Sequence, residues 1–182
     1  SGKSDYQSMG SETISQALRQ ARRDTTVKAI VFRVNSPGGS GLASDVIWRE
    51  VVLAQKVKPL IVSMGDLAAS GGYYVSCPAD VIVANEVTLT GSIGVFGLTF
   101  NAQELLNKKL GITFDGVKTN EFADISDITR PMSEAEKEII QKEVEDFYKV
   151  FIGKVGDGRK MNVDSVDNIG QGRVWSGINA KS

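Results

Sequence analysis

The chain has 182 residues, of which 41% are hydrophobic and 24% charged, and its 21 basic and 22 acidic residues leave a formal net charge of −1. This composition predicts one globular domain over 1–182, gives no electrostatic bias toward nucleic acid, and includes no run of about 20 apolar residues that would span a bilayer. The single Cys77 excludes an internal disulfide and a multi-cysteine metal site, and the chain contains no histidine.

The first half of the sequence alternates between helical and extended patterns. Apolar residues at helical spacing precede a β-branched run at 27–34, which ends in the turn 35–39. A helix at about 42–56 and a buried strand at 60–64 follow. The next turn contains Ser70 and leads into a short helix that Pro78 closes.

The second half continues this alternation. Three elements are expected from apolar runs and spacing: a strand at 81–84, a helix near 101–110 and a strand at 112–117. Glycine at every third position of 90–97 indicates a chain that bends past another backbone. Ser133 and Glu136 form a capping box that opens a long helix. The order of these helices and strands along the chain predicts an α/β fold with mainly parallel strands and crossover helices.

The two ends of the sequence indicate a fragment of a longer protein. The start, from Ser1 to Asp5, is polar and has neither an initiator methionine nor an apolar signal region, and the chain stops at Ser182 soon after a glycine-rich turn. We therefore expect a soluble fragment, with any membrane anchor outside it.

Glycine-rich turns at 36–39 and 70–72 predict an acyl-transfer site. Each follows an apolar run, and either turn alone is more often an ordinary turn than a site. Together they offer Ser70 as a nucleophile, with Gly71 and the turn 36–39 as backbone donors to an oxyanion. The α/β-hydrolase elbow is not matched, because Ala68 replaces its first glycine and the chain lacks histidine.

A serine nucleophile in this chain needs a base other than histidine. Lysine, aspartate, glutamate and a metal-bound hydroxide remain possible. Lysine takes this role when burial lowers its pKa toward neutrality and a neighbouring hydroxyl holds its amine. A Ser/Lys dyad is therefore the most economical hypothesis.

Four motifs in order resemble the signal peptide peptidase A (protease IV) family. They are RVNSPGGS at 33–40, AASGGY at 68–73, LTGSIGVFG at 89–97 and GRVWSG at 172–177. The resemblance covers nearly the whole chain and implies a ClpP/crotonase-like fold. It also implies a self-compartmentalising serine protease. We expect the chain to need no cofactor and no metal.

The same resemblance assigns roles to individual residues. Ser70 corresponds to the nucleophile, and Ser92 corresponds to the serine that orients the lysine base. The oxyanion donors correspond to Gly71 and to one glycine of the pair Gly38 and Gly39, with Gly39 preferred. These assignments follow from the family motifs.

The base itself departs from the family pattern. The lysine pattern of the family, VGTYKSA, aligns with VKTNEFA at 117–123. In this alignment Glu121 occupies the position of the lysine base, and Lys118 lies three residues before that position. In long forms of the family a first half supplies the lysine and a second half supplies the serine. Two interpretations remain: a base on a missing N-terminal half, or Lys118 shifted into place by a loop.

The resemblance also implies substrates, assembly and location. The substrates would be cleaved signal peptides and other unfolded apolar peptides in the bacterial cell envelope. The protein would form a ring or dome of identical subunits at the inner membrane, with its catalytic domain on the periplasmic or extracytoplasmic side.

Two alternative functions are compatible with parts of the sequence. A crotonase-like acyl-CoA enzyme would use the glycine turns as an oxyanion hole, but it would leave Ser70 without a role, and the chain lacks an evident basic cluster for CoA phosphates. A non-catalytic half that only builds the assembly would need neither Ser70 nor Ser92, yet both are present.

Overall fold

The computed structural model describes residues 2–3 and 8–181. Ser1, Ser4, Asp5 and Ser182, on which the fragment interpretation partly rests, lie outside the described residues. The chain divides into two compact units: unit 1 comprises Ser1–Gly94 with Lys149–Ser182, and unit 2 comprises Val95–Tyr148. The expectation of one domain over 1–182 stays a prediction.

Unit 1 is built on a mainly parallel sheet. Its strands, over the described residues, are β1 (Ile30–Ser36), β2 (Leu60–Ala69), β3 (Val81–Val83), β4 (Leu89–Gly91) and β5 (Val174–Ser176). They run in the order β1-β2-β4-β5, and β3 also pairs with β2. The β1–β2, β2–β3 and β2–β4 pairs are parallel, whereas β4–β5 is antiparallel. The predicted α/β architecture is confirmed.

Unit 1 also contains α-helices. They are α1 (Ser11–Arg23), α2 (Gly41–Gln55), α3 (Gly71–Ser76), α5 (Val163–Ile169) and the last part of α4 (Glu134–Arg159). α2 is the crossover between β1 and β2, and the Ser40 hydroxyl caps it by accepting from Ala43 N–H. The core lies between sheet and helices, where Val34, Val51 and Leu60 are fully buried.

A bulge in β2 changes the neighbours of that strand. Val34 pairs with Met64 but Ser36 pairs with Ala68. A step of two residues along β1 therefore corresponds to a step of four along β2, so β2 contains two extra residues. Before the bulge β2 pairs with β3, and after it β2 pairs with β4. The sequence predicted a strand ending at Met64, because the following glycine and aspartate are typical turn residues. The strand instead continues to the residue before Ser70.

Unit 2 contains the first part of α4 and a π-helical segment at Leu105–Lys109. The capping box is confirmed: the Ser133 N–H donates to Glu136 Oε2 at 2.7 Å, and the Glu136 N–H donates to Ser133 Oγ at 3.3 Å. The expected helix near 101–110 is this π-helical segment, preceded by two α-helical residues at 103–104.

The strand predicted at 112–117 is wrong. These residues are exposed and irregular, since an apolar run becomes a strand only where a neighbouring strand completes its hydrogen bonds. Among the described helices of both units, none combines the length and the apolar character needed to span a bilayer.

Candidate active site

Ser70 occupies a strained turn between β2 and α3. Its backbone has φ 51° and ψ −119°, a conformation that costs of the order of 1–3 kcal/mol for a residue with a Cβ. Its N–H donates a 2.9 Å hydrogen bond to the Gly91 carbonyl, and the Tyr74 N–H donates to the Ser70 carbonyl at 2.8 Å. The Ser70 side chain does not cap α3. Its hydroxyl therefore remains available for other contacts.

The turn that contains Gly38 and Gly39 packs directly against the Ser70 turn. Gly38 has φ +105°, and a Cβ built on it would lie 2.6 Å from the Gly71 nitrogen and 2.8 Å from the Ser70 Cβ. A Cβ on Gly71 would lie 3.3 Å from the Gly39 nitrogen. The structure thus brings together four residues that the sequence had singled out.

This contact presents backbone donors beside a serine hydroxyl. Gly71 is the first residue of α3, and the first N–H groups of a helix have no acceptor within that helix. Gly39 lies in an exposed turn with open space where its Cβ would be. Donors in this arrangement can stabilise the oxyanion that forms when a serine attacks a carbonyl, and one such donor is worth about 3 kcal/mol.

Ser92 lies on the neighbouring strand end. Ala69 of β2 pairs with Gly91 of β4 in parallel register, so Ser70 and Ser92 directly follow paired residues. Ser92 also has a positive φ, of 48°, and its N–H donates to the Arg173 carbonyl at 2.7 Å. Both serines therefore lie at the same edge of the sheet, where the chain leaves the two strands.

The fourth motif, at 172–177, packs beside the Ser92 turn. The Gly172 N–H donates to the Ile93 carbonyl at 2.8 Å, and a Cβ on Gly94 would lie 2.7 Å from the Gly172 Cα. This close backbone approach is the one predicted from the glycine spacing of 90–97. The motif thus supports the turn that carries Ser92.

Lys118 belongs to unit 2, where its ammonium is already paired. Its Nζ lies 3.0 Å from Asp124 Oδ1, and the side chain is 45% exposed. Asp124 also pairs with Arg130 at 2.8 Å. Hydrogen bonds from Arg130 and then Lys118 hold the pKa of the Asp124 carboxyl well below its usual range. Glu121, the residue aligned with the family lysine, is exposed.

Sequence reasoning missed Ser44, which lies on α2 beside Gly71 of the Ser70 turn. Its hydroxyl donates to the Ser40 carbonyl at 3.0 Å, and a Cβ on Gly71 would lie only 2.5 Å from Ser44 Oγ. The spacing of four between the helix cap and Ser44 was a usable signal, because residues i and i+4 share one face of a helix.

The fold is that of a ClpP-like protein. A solved structure, a ClpP1 mutant from Listeria monocytogenes, superposes with a TM-score of 0.53 over 94% of this chain and 78% of that chain. At 12% identity this likeness shows the fold alone. It confirms the ClpP/crotonase-like fold expected from the motifs.

A family model described as Peptidase family S49 matches residues 53–182, and the chain belongs to this family. "Protease 4" of Haemophilus influenzae is 46% identical over 98% of this chain, and "Serine protease SPPA, chloroplastic" of Arabidopsis thaliana is 40% identical over 94%. The chain spans only 29% and 25% of the length of these relatives. The family resemblance drawn from the four motifs is confirmed.

Proposed function

We propose that this chain is the nucleophile-bearing domain of a serine endopeptidase. The observation that carries the proposal is the strained Ser70 turn, against which the turn of Gly38 and Gly39 packs closely. Strain of this kind persists only where the surrounding structure enforces it, and it clusters at active sites. The names of the relatives, protease 4 and serine protease, support the same reaction class.

The reaction begins when Ser70 Oγ attacks the carbonyl carbon of a peptide bond. A lysine amine, oriented by the Ser92 hydroxyl, accepts the serine proton, and the oxyanion accepts hydrogen bonds from the N–H groups of Gly71 and Gly39. The C–N bond then breaks, and the lysine ammonium protonates the leaving amine. Water hydrolyses the resulting ester with the same lysine as base, and Ser70 is regenerated.

The lysine base comes from an N-terminal half of the full-length protein. The ion pair between Lys118 and Asp124 supports this, because a carboxylate partner stabilises the charged amine, whereas a base must be neutral. The length of the relatives, of which this chain spans less than a third, leaves room for such a half. Lys118 remains the second candidate.

The proposed substrates are cleaved signal peptides and other unfolded apolar peptides of the cell envelope. The protein acts at the bacterial inner membrane with this domain on the extracytoplasmic side. It assembles into a ring or dome of identical subunits that excludes folded proteins from Ser70. The likeness to a ClpP fold and the family membership support this proposal.

Labelling with a fluorophosphonate tests the nucleophile. We expect the full-length protein to react and its Ser70→Ala variant not to react. Ser63→Ala is a matched control on the same strand, because the Ser63 hydroxyl accepts a 2.8 Å hydrogen bond from Arg33 and takes no part in the proposed reaction. Equal labelling of the Ser70→Ala protein would show that another residue is the nucleophile.

A further inference from the structure

A charged and aromatic cluster lies beside the Ser70 turn, and no step of the proposed reaction uses it. Its members are Asp45 and Trp48 on α2, Tyr74 on α3 and Lys154 on α4, all in unit 1. We call this group the Asp45 cluster. α2 and α3 are the two helices that begin immediately after the two glycine turns of the candidate site.

Asp45 is the centre of the cluster. Its Oδ1 accepts a 2.8 Å hydrogen bond from the Tyr74 hydroxyl and another from the Lys154 ammonium. Lys154 Nζ also lies 3.6 Å from the ring centroid of Trp48 and 5.1 Å from that of Tyr74. The Lys154 side chain is only 17% exposed, so the carboxylate and the aromatic faces replace most of the water around its charge.

The environment holds each group in the protonation state that these contacts require. Burial raises the pKa of Asp45, but the hydrogen bonds from Lys154 and Tyr74 outweigh it, and the pKa lies below its ordinary value of 3.8. Burial, followed by the hydrogen bond to Asp45, raises the pKa of Tyr74 far above its usual range. Near neutral pH Asp45 is an acceptor and Tyr74 a donor.

The bond between Asp45 and Tyr74 joins α2, which begins two residues after Gly39, to α3, which begins with Gly71. Asp45 follows Ser44, whose hydroxyl lies against Gly71. Tyr74 donates its own N–H to the Ser70 carbonyl. A shift of α3 along α2 would therefore change the Asp45–Tyr74 bond and the distance between the two glycine turns together.

The far end of α3 is held by a different contact. Arg159 donates to the carbonyls of Cys77 and Ala79 at 3.0 and 2.8 Å. This contact fixes the end of the helix to α4, but it does not join α3 to α2. The Asp45–Tyr74 bond is a polar side-chain contact that does join those two helices.

We propose that Asp45, Tyr74 and Lys154 are positioning residues that set the separation of the Gly39 and Gly71 amides. This inference rests on the proposed function, because the separation matters only if both amides bind an oxyanion. Loosening the cluster should then destabilise the transition state and leave substrate binding nearly unchanged, because the oxyanion that these amides would bind forms only in the transition state.

The test uses the full-length protein and a fluorogenic apolar peptide. In Tyr74→Phe and Asp45→Asn we expect kcat to fall about tenfold and KM to stay within about twofold of the wild-type value. This fall in kcat is smaller than the roughly 100-fold loss that a large misplacement of the reacting groups causes. A peptide boronate, which forms a tetrahedral adduct with the serine, should lose affinity by the same factor as kcat. Lys154→Arg keeps the charge and should retain kcat, whereas Lys154→Met should lower it.

Glu50→Gln is the matched control on the same helix. Glu50 is buried and its carboxylate pairs with Arg19 at 2.6 Å, so its loss lowers the melting temperature without touching α3. We expect this variant to keep wild-type kcat and boronate affinity. If Glu50→Gln lowers kcat as much as Asp45→Asn at a matched loss of stability, the effect is one of general stability and the positioning role is wrong.

Two further outcomes separate this inference from the proposed function. If Tyr74→Phe and Asp45→Asn keep wild-type kcat while Ser70→Ala is inactive, the positioning role is wrong and the peptidase proposal stands. If Ser70→Ala retains activity, the peptidase proposal itself fails. Should Tyr74→Phe not fold, the comparison of Lys154→Arg with Lys154→Met decides: equal kcat in both overturns the inference.

Discussion

The backbone N–H of Ser70 donates a 2.9 Å hydrogen bond to the carbonyl of Gly91, the residue that precedes Ser92. Each serine has a positive φ, and each follows the last residue of one of two adjacent parallel strands. The sheet thus couples the geometry of the proposed nucleophile to that of the residue proposed to orient its base.

Removal of the Ser92 hydroxyl should lower activity more than it lowers stability. In Ser92→Ala we expect kcat to fall by about 100-fold, the lower range for a lost acid–base contribution. Ser92→Gly relieves the positive φ and lacks the same hydroxyl, so it should be as inactive while melting at the same temperature or higher. Steady-state kinetics and thermal melts of both variants check this, and an active Ser92→Gly protein would contradict it.

A methyl group at position 38 should abolish the reactivity of the candidate active site. Gly38→Ala would set a Cβ 2.6 Å from the Gly71 nitrogen at φ +105°, so the glycine turn must move away from Ser70. We expect fluorophosphonate labelling to fall by at least about 100-fold, the scale of one lost oxyanion donor.

Gly39→Ala is the comparison for this effect. Its φ of +143° is also strained for alanine, but its Cβ would meet nothing within 4 Å. The variant should therefore label faster than Gly38→Ala. Equal labelling rates in the two variants would show that backbone strain, and not the contact with Gly71, limits the reaction.

The origin of the base can be decided with Lys118. Because its ammonium pairs with Asp124, Lys118→Met in the full-length protein should keep wild-type labelling. Lys108→Met, which removes an exposed pair with Glu104, is the control for loss of a surface lysine. The isolated 182-residue chain should label weakly and recover when the N-terminal half is added. Loss of labelling in Lys118→Met alone would instead assign the base to Lys118.

Acid should destabilise the protein partly through Glu136. Hydrogen bonds from Arg130 and then from the Ser133 N–H lower the pKa of Glu136 from 4.5 to about 2. A carboxyl whose pKa is lower in the folded state stabilises that state above its unfolded pKa, and this stabilisation is lost as pH falls from about 4.5 toward 2.

Arg130→Met should reduce this acid sensitivity. Urea unfolding between pH 7 and pH 2.5 should show a smaller drop in the free energy of unfolding for the variant than for the wild type. Lys137→Met, which removes an exposed pair with Glu134, should follow the wild-type curve. Parallel curves for Arg130→Met and the wild type would show that the Arg130–Glu136 pair does not contribute.

Local patterns predicted most of the fold and the glycine turns of the site. Apolar spacing located α1, α2, β1 and the start of β2, and glycines beside Ser70 marked a turn that only small residues permit. The bulge in β2 was not predictable locally, because Asn35 and Thr88 complete it from elsewhere in the chain. Asn35 Oδ1 accepts from the Leu67 N–H at 3.1 Å, and Thr88 Oγ1 donates to the Gly65 carbonyl at 2.8 Å.

Long-range contacts explain the other omissions. Asp45 and Lys154 are 109 residues apart, and no local pattern indicates that one pairs with the other. The roles of Ser70, Ser92, Lys118 and the glycines stay predictions, since the family motifs and the geometry support them without a measured reaction.

The bulge in β2 also constrains how this domain tolerates insertions and deletions. Each strand residue advances the chain by about 3.3 Å, so deletion of the two extra residues would restore regular pairing with β1 and withdraw Ser70 by about 7 Å. The remaining side chains of β2 would still point to alternate faces of the sheet, and apolar side chains would still fill the core. Such a deletion should yield a folded protein in which the proposed nucleophile is displaced. The length between Met64 and Ser70 is therefore constrained in its own right, in addition to the need for glycine at position 65, where a Cβ would lie 2.7 Å from the Asn35 side chain.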